Sequence, residues 1–183
     1  MERYEIKITG VGGQGIRLAG VILGIAATFE GKAATHWQSY GVEARGGPST
    51  SDVVISSGKI DYPRVISADV LVALDQAMLN VHLNGLKSGG ILIIDSDLVR
   101  DKPKRDDILI RQIPMARIAD TLGRRILINM IVLGVLTATT EIVSKHDMAK
   151  TIAANVPESS RDFNLKAFEE GLKLGEKVIL EGC

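Results

Sequence analysis

Residues 4–20 read YEIKITGVGGQGIRLAG. An alternating, strand-like run from Tyr4 to Ile8 passes into four glycines within six positions, and a helical apolar pattern begins directly afterwards. Gly10, Gly12 and Gly15 satisfy G-x-G-x-x-G, the spacing by which dinucleotide-binding folds cradle phosphate. A tight strand-to-helix turn needs positive φ values, which glycine reaches without a Cβ clash. The helix start then offers unpaired N–H groups to an anion. The same glycines fit either a ligand cradle or a structural turn.

A dinucleotide site also requires Asp or Glu about 20 residues further on, ending the second strand, to hold the ribose. Here that strand ends HWQSYG (36–41); Glu30 precedes it and Glu43 lies well past it. A structural turn, or a site for some other phosphate, is therefore favoured over an NAD site.

Outward from the turn, IRLAGVILGIAATFE (16–30) sets Ile16, Ala19, Val21, Leu23, Ala26 and Ala27 along a broad apolar surface, and Gly31 ends the helix. Strands are predicted at 33–38 and 50–57, on either side of a polar, glycine-bearing stretch at 39–49. VLVAL (70–74) and ILIID (91–95) are uninterrupted apolar runs, as suits strands covered on both faces. Leu79, Leu83 and Leu86 recur at helical spacing between them. A strand at 108–114 and helices at about 115–122, 126–142, 145–154 and 161–180 complete the chain. KPKRDD (102–107) reads as a solvated loop. Strands alternating with helices imply an α/β fold: a three-layer, Rossmann-like domain over 1–183, with a mostly parallel sheet and helices on both faces.

Composition excludes several function classes. The 183 residues carry 22 basic and 22 acidic side chains, so no general basic field points to nucleic acid. Aromatic residues are only 4%, too few for base-stacking platforms. The most apolar stretch, ILINMIVLGVLTA (126–138), is too short to span a bilayer. MERYEIKITG carries acids and leads into a strand, so no signal peptide is expected. Cys183 is the only cysteine, which excludes a four-thiolate iron–sulfur cluster, a cysteine-based zinc site and an internal disulfide within one chain. No His is spaced with carboxylates as a metal site would require, and no Ser-His-Asp or Cys-His arrangement is present.

GVGGQG (10–15), with its extra Gly13 and Gln14, resembles the opening of the gamma subunit of 2-oxoacid:ferredoxin oxidoreductases. Other segments resemble the same family in the same order: QSYGVEARGGPSTSDVVIS (38–56), IDYPRVISADVLVALDQ (60–76), NMIVLGVL (129–136) and NLKAFEEG (164–171). QSYGVEARGG looks most like the 2-oxoglutarate type, from which Val42 departs where proline is usual; pyruvate and 2-oxoisovalerate types are related.

The resemblance implies an oxidoreductase complex that converts a 2-oxoacid and coenzyme A to acyl-CoA and carbon dioxide, passing two electrons to ferredoxin. It implies thiamine diphosphate with Mg2+ and iron–sulfur clusters carried by alpha, beta and ferredoxin-like delta partner subunits, with no cofactor bound by this chain alone. The expected place is the cytoplasm, with no nucleic-acid partner and no membrane span. A homodimer is expected when the chain is isolated. A scaffold subunit touching no ligand, or a free-standing nucleotide enzyme, are the alternatives.

Site expectations follow. Gly10, Gly12, Gly13 and Gly15 form a turn that could meet an anion or a partner. Gln14 could cap the following helix or touch a partner subunit. Ser39, Tyr40, Glu43, Arg45, Gly46 and Gly47 form a second candidate segment, for substrate or interface. Arg45 has the planar fork suited to a carboxylate or phosphate; its bland alternative is a solvated pair with Glu43. Trp37 and Tyr40 read as core or interface anchors. His36, His82 and His146 read as structural, and Asp75 and Asp95 as caps at the carboxyl edge of the sheet.

Overall fold

The computed structural model describes residues 3–40 and 46–181. The chain runs β1 (Tyr4–Val11), α1 (Ile16–Phe29), β2 (Ala33–Tyr40), β3 (Pro48–Ser56), β4 (Ala68–Ala73), α2 (Gln76–His82), β5 (Leu86–Asp95), β6 (Leu109–Ile113), α3 (Met115–Thr121), α4 (Ile128–Thr140), α5 (Lys145–Asn155) and α6 (Arg161–Leu180). The expected strands and helices are present, most within a few residues of their predicted ends; the exception is Leu86, expected on the helix with Leu79 and Leu83, which instead opens β5 after α2 ends at His82.

The six strands form one sheet in the order β2-β3-β1-β4-β5-β6. β1, β4, β5 and β6 pair in parallel, while β3 runs antiparallel to both β1 and β2. The reversal of β3 has a simple cause. A parallel return needs a crossover of a dozen or more residues, and the connection from Tyr40 to Pro48 is shorter than that. β3 therefore comes back as a hairpin partner and inserts between β1 and β2.

Alternation along the strands sorts two apolar layers. Ile6, Ile8, Val53, Ile55, Val70, Val72 and Ile93 face a thick layer built by α1, α3, α4, α5 and α6. Leu71, Ala73, Leu92 and Ile94 face a thin layer with Leu79, Leu86 and Val99. α4 is buried over nearly its whole length and lies against α6, where Gly134 meets the main chain at Phe168 and Leu172.

On the second face α2 lies over β4 and reaches β1. Over β1, β3 and β2 that face carries Lys7, Thr50, Asp52, Trp37 and Ser39. The segment after β3 is strapped down at its far end. The Glu5 carboxylate accepts from the N–H groups of Ile66 (2.6 Å) and Ser67 (2.9 Å) and from Arg3 Nε (2.5 Å). Burial opposes ionisation of Glu5, but these donors prevail and hold its pKa below the ordinary value. Arg3 in turn donates to the carbonyls of Tyr62 and Arg64.

Candidate functional site at the carboxyl edge

α1 leaves β1 toward the thick layer, and α2 leaves the adjacent β4 toward the thin one. The carboxyl ends of β1 and β4 therefore form a topological switch point, the crevice where open α/β sheets bind ligands. Here Gln14 fills it. Its Oε1 accepts from the Val11 N–H at 2.8 Å, and its Nε2 donates to the Leu74 carbonyl at 3.0 Å. The Leu74 N–H donates to Thr9 O at 2.9 Å, closing the strand ends together. Of the two sequence expectations for Gln14, the cap on α1 is not found: Gln14 cross-links two strands, and the N-cap Gly15 receives no side-chain bond.

The glycines of the turn have separate reasons. A Cβ at Gly10 would collide with the Gln14 carboxamide. Gly15 has φ 72°, and a Cβ there would meet the Asn129 side chain on α4. Gly13 has φ 100° with open space around it, so its requirement is the backbone angle alone. Gly12 is tied by its main chain: its N–H donates to Gly47 O at 2.8 Å, and Gly46 N–H donates to Gly12 O at 3.4 Å.

That last pair joins the two candidate segments, some 35 residues apart in the chain. Gly46, at φ 77°, turns the chain into β3 beside the glycine turn. Ser39 and Tyr40 pair with Thr50 and Ser49 at the end of β2. Glu43 and Arg45 fall between these anchored ends and lie outside the described residues. Asp75 caps α2, accepting from Met78 N–H at 3.0 Å. The fully buried Asp95 accepts from Asp97 and Leu98 N–H at 2.9 Å each and from Ala116 N–H at 2.6 Å, fixing the start of α3.

Ser39 also opens onto the second face of the sheet. A cleft of about 440 Å3 is lined there by Lys7, Trp37, Ser39, Thr50, Asp52, Arg64 and His82, among others. Lys7 and Asp52 form an ion pair at its floor, and Asp52 also accepts from Val65 N–H at 3.3 Å. The Arg64 guanidinium sits 5.4 Å from the centre of the Trp37 ring. Burial pushes the His82 pKa down, and nearby Lys7 adds to this against the pull of Asp52. The cleft brings two hydroxyls, an indole and the Arg64 cation together over the Lys7–Asp52 ion pair. Lys7, Asp52, Arg64 and His82 were not singled out as site residues. The alternation in YEIKI and TSDVVIS does put Lys7, Thr50 and Asp52 on the face opposite Ile6, Ile8 and Val53. His36 lies on the other side of the sheet, its Nε2 2.7 Å from Ser51 Oγ. A larger hollow, about 580 Å3, is lined by Lys102, Lys104, Arg105 and neighbours, none of which belongs to the two candidate segments.

The described residues include no group of three or more His, Cys, Asp or Glu able to hold a metal ion, and no helix long and apolar enough to cross a membrane. With one cysteine in the sequence, the residues present do not fit an iron–sulfur cluster.

Fold and turn together define an α/β domain whose switch-point crevice is closed by its own glutamine. The sequence profile of the pyruvate ferredoxin/flavodoxin oxidoreductase family matches residues 5–174, and the chain belongs to that family. It is 45% identical over 179 residues to 2-oxoglutarate synthase subunit KorC of Methanocaldococcus jannaschii, covering 96% of each chain. The crystal structure of the keto/oxoacid ferredoxin oxidoreductase gamma subunit from Geobacter sulfurreducens superposes with a TM-score of 0.88 at 38% identity, covering 97% of this chain and 99% of that one. The 2-oxoglutarate:ferredoxin oxidoreductase of Magnetococcus marinus, solved with 2-oxoglutarate, coenzyme A and succinyl-CoA bound, shares the fold (TM-score 0.88, 23% identity, 97% of this chain and 32% of that one). The chain is thus a gamma-type subunit of a 2-oxoacid:ferredoxin oxidoreductase, most similar to the 2-oxoglutarate type.

Proposed function

We propose that residues 1–183 act as one gamma-type domain in a complex that oxidatively decarboxylates 2-oxoglutarate. The products are succinyl-CoA and carbon dioxide, and two electrons leave to ferredoxin. Thiamine diphosphate, with Mg2+, and the iron–sulfur clusters belong to alpha, beta and ferredoxin-like delta partners in the cytoplasm. This chain contributes binding and electrostatics, and the cofactors supply the electron chemistry. In isolation it is inert and self-associates.

The observation that carries the reading is the main-chain junction of Gly12 with Gly46 and Gly47. It pins one end of the 41–47 segment beside the glycine turn, at the carboxyl edge where α/β folds meet ligands. Arg45 in that segment is assigned to a coenzyme A phosphate or the distal carboxylate of 2-oxoglutarate, through paired charge-assisted bonds. Arg45→Ala in the assembled complex should weaken one of these substrates by ~1.5–3 kcal/mol, about ten- to a hundredfold. Arg45→Lys should restore only part of this, because the fork is lost. Unchanged Michaelis constants with a complex that dissociates on dilution would move Arg45 to a subunit interface. Unchanged constants with intact assembly would leave it a solvated charge.

A scaffold role is the second reading. It is favoured by Gln14, which occupies the crevice a nucleotide would need.

A further inference from the structure

The β1–β4 ladder stops one step short of where its own pattern leads. The two strands pair in parallel as far as Thr9↔Ala73, and the Leu74 N–H then donates to Thr9 O at 2.9 Å. Bonds in a parallel ladder are evenly spaced and pass back and forth between the strands. The next one would run from the Val11 N–H to the Leu74 carbonyl. Instead the Gln14 carboxamide stands between these two groups, accepting from Val11 N–H at 2.8 Å and donating to Leu74 O at 3.0 Å. A carboxamide carries the donor and acceptor of a main-chain peptide group. Gln14 thus inserts one extra amide unit and holds the end of β1 off β4 by ~4.8 Å, one strand spacing.

The residue that this spacer displaces is Gly12, directly after Val11. Both main-chain groups of Gly12 are committed to the far side: its N–H donates to Gly47 O at 2.8 Å, and its carbonyl accepts from Gly46 N–H at 3.4 Å. That junction continues the β1–β3 ladder one step beyond Val11↔Pro48. Gln14 and the Gly46–Gly47 pair therefore grip the adjacent residues Val11 and Gly12 from opposite sides. Length and polarity of the Gln14 side chain are both constrained. A shorter amide does not span the gap, and a group without a donor leaves the Leu74 carbonyl unpaired.

We propose that Gln14 is a positioning residue: its carboxamide sets the distance between β4 and the Gly12 junction, and so places the Gly46–Gly47 end of the 41–47 segment for substrate binding. This rests on the reading of that segment given above and extends it to a residue that touches no substrate.

The test uses the assembled complex for kinetics and the full chain for amide exchange. Gln14→Glu keeps the length and the acceptor for Val11 but loses the donor to Leu74. Gln14→Asn keeps both groups on a stem one methylene shorter. Ile152→Val, a buried change on α5, is the control for lost stability. Each Gln14 variant should raise the apparent KM of the substrate that Arg45→Ala weakens about tenfold, the equivalent of one lost hydrogen bond, with kcat and the other KM within about twofold. Exchange of the Gly12 amide should quicken in both. Lost stability alone reduces the amount of active enzyme, so Ile152→Val should lower kcat and leave both KM values in place. If Gln14→Glu does not fold, Gln14→Asn decides. A Gln14 variant that raises a KM while Arg45→Ala moves none removes Arg45 from the site and supports the positioning role, exerted through another part of the segment. KM values unchanged in both Gln14 variants, or Gly12 exchange no faster than in Ile152→Val, overturn the proposal.

Discussion

Gly10 and Gln14 compete for one space: a Cβ on Gly10 would fall inside contact distance of Gln14 Oε1, with Ile16 Cδ1 and Leu74 Cβ each 3.2 Å away. The bare position in the turn is a consequence of the side chain four residues later. Gly10→Ala should destabilise the chain by roughly 1–3 kcal/mol through overpacking. Gln14→Ala should cost about 1–3 kcal/mol by stripping partners from Val11 N–H and Leu74 C=O. The double variant should be less damaged than the sum of the two, because the clash disappears with the carboxamide. Urea denaturation of all four proteins measures this; strictly additive losses would show that the two residues do not share the space.

At the α4–α6 crossing, Gly134→Ala should be far worse than an ordinary helix substitution. Alanine is the better helix former by about 1 kcal/mol, yet a Cβ at Gly134 would crowd the Phe168 carbonyl and sit 2.6 Å from the Leu172 nitrogen. Neither is a flexible side-chain end. The expected result is a loss of ~3 kcal/mol or more, or insoluble protein; a stabilised variant would mean the helices slide apart freely.

Glu141 holds φ 50° as the cap of α4, a conformation that disfavours any residue with a Cβ. Glu141→Gly should raise stability by about 0.5–1 kcal/mol, since glycine is the usual residue at a left-handed helix end. A lower melting temperature would show that the Glu141 side chain contributes more than its backbone strain costs.

The Arg105 guanidinium pairs with Asp107 through bonds of 2.9 and 2.6 Å and lowers its carboxyl from 3.8 to about 2. A depressed folded pKa stabilises the fold above the ordinary value, and that contribution is lost as pH falls through about 2. Carboxyl-carbon titration by NMR should place the Asp107 midpoint near 2, and Arg105→Gln should return it toward 3.8. A midpoint unmoved by the substitution would assign the shift to another cause.

Local signals carried most of the architecture. YEIKI, VLVAL and ILIID became β1, β4 and β5, and the helix periods between and after them were read nearly to their ends, because alternation and helical spacing are written in neighbouring residues. What escaped was set by distant partners. The reversal of β3 depends on a connection too short for a crossover, and the sequence pattern of 50–57 does not carry strand direction. The role of Gln14 depends on Leu74, sixty positions away. The junction of Gly12 with Gly47 was likewise hidden, although both residues had been marked separately. The cleft on the second face was missed because Lys7 and Asp52, 45 positions apart, look like ordinary outward strand positions until the ladder sets them side by side.

The close approach of α4 and α6 has a consequence for biosynthesis. α4 is almost wholly apolar, and one of its walls is supplied by residues 161–180. During translation the sheet and α4 leave the ribosome before α6 does. For that interval a sticky thirteen-residue cylinder has no lid, and nascent chains with such exposed surface are the ones that aggregate or recruit chaperones. The wall of α4 is therefore closed only after α6 has left the exit tunnel.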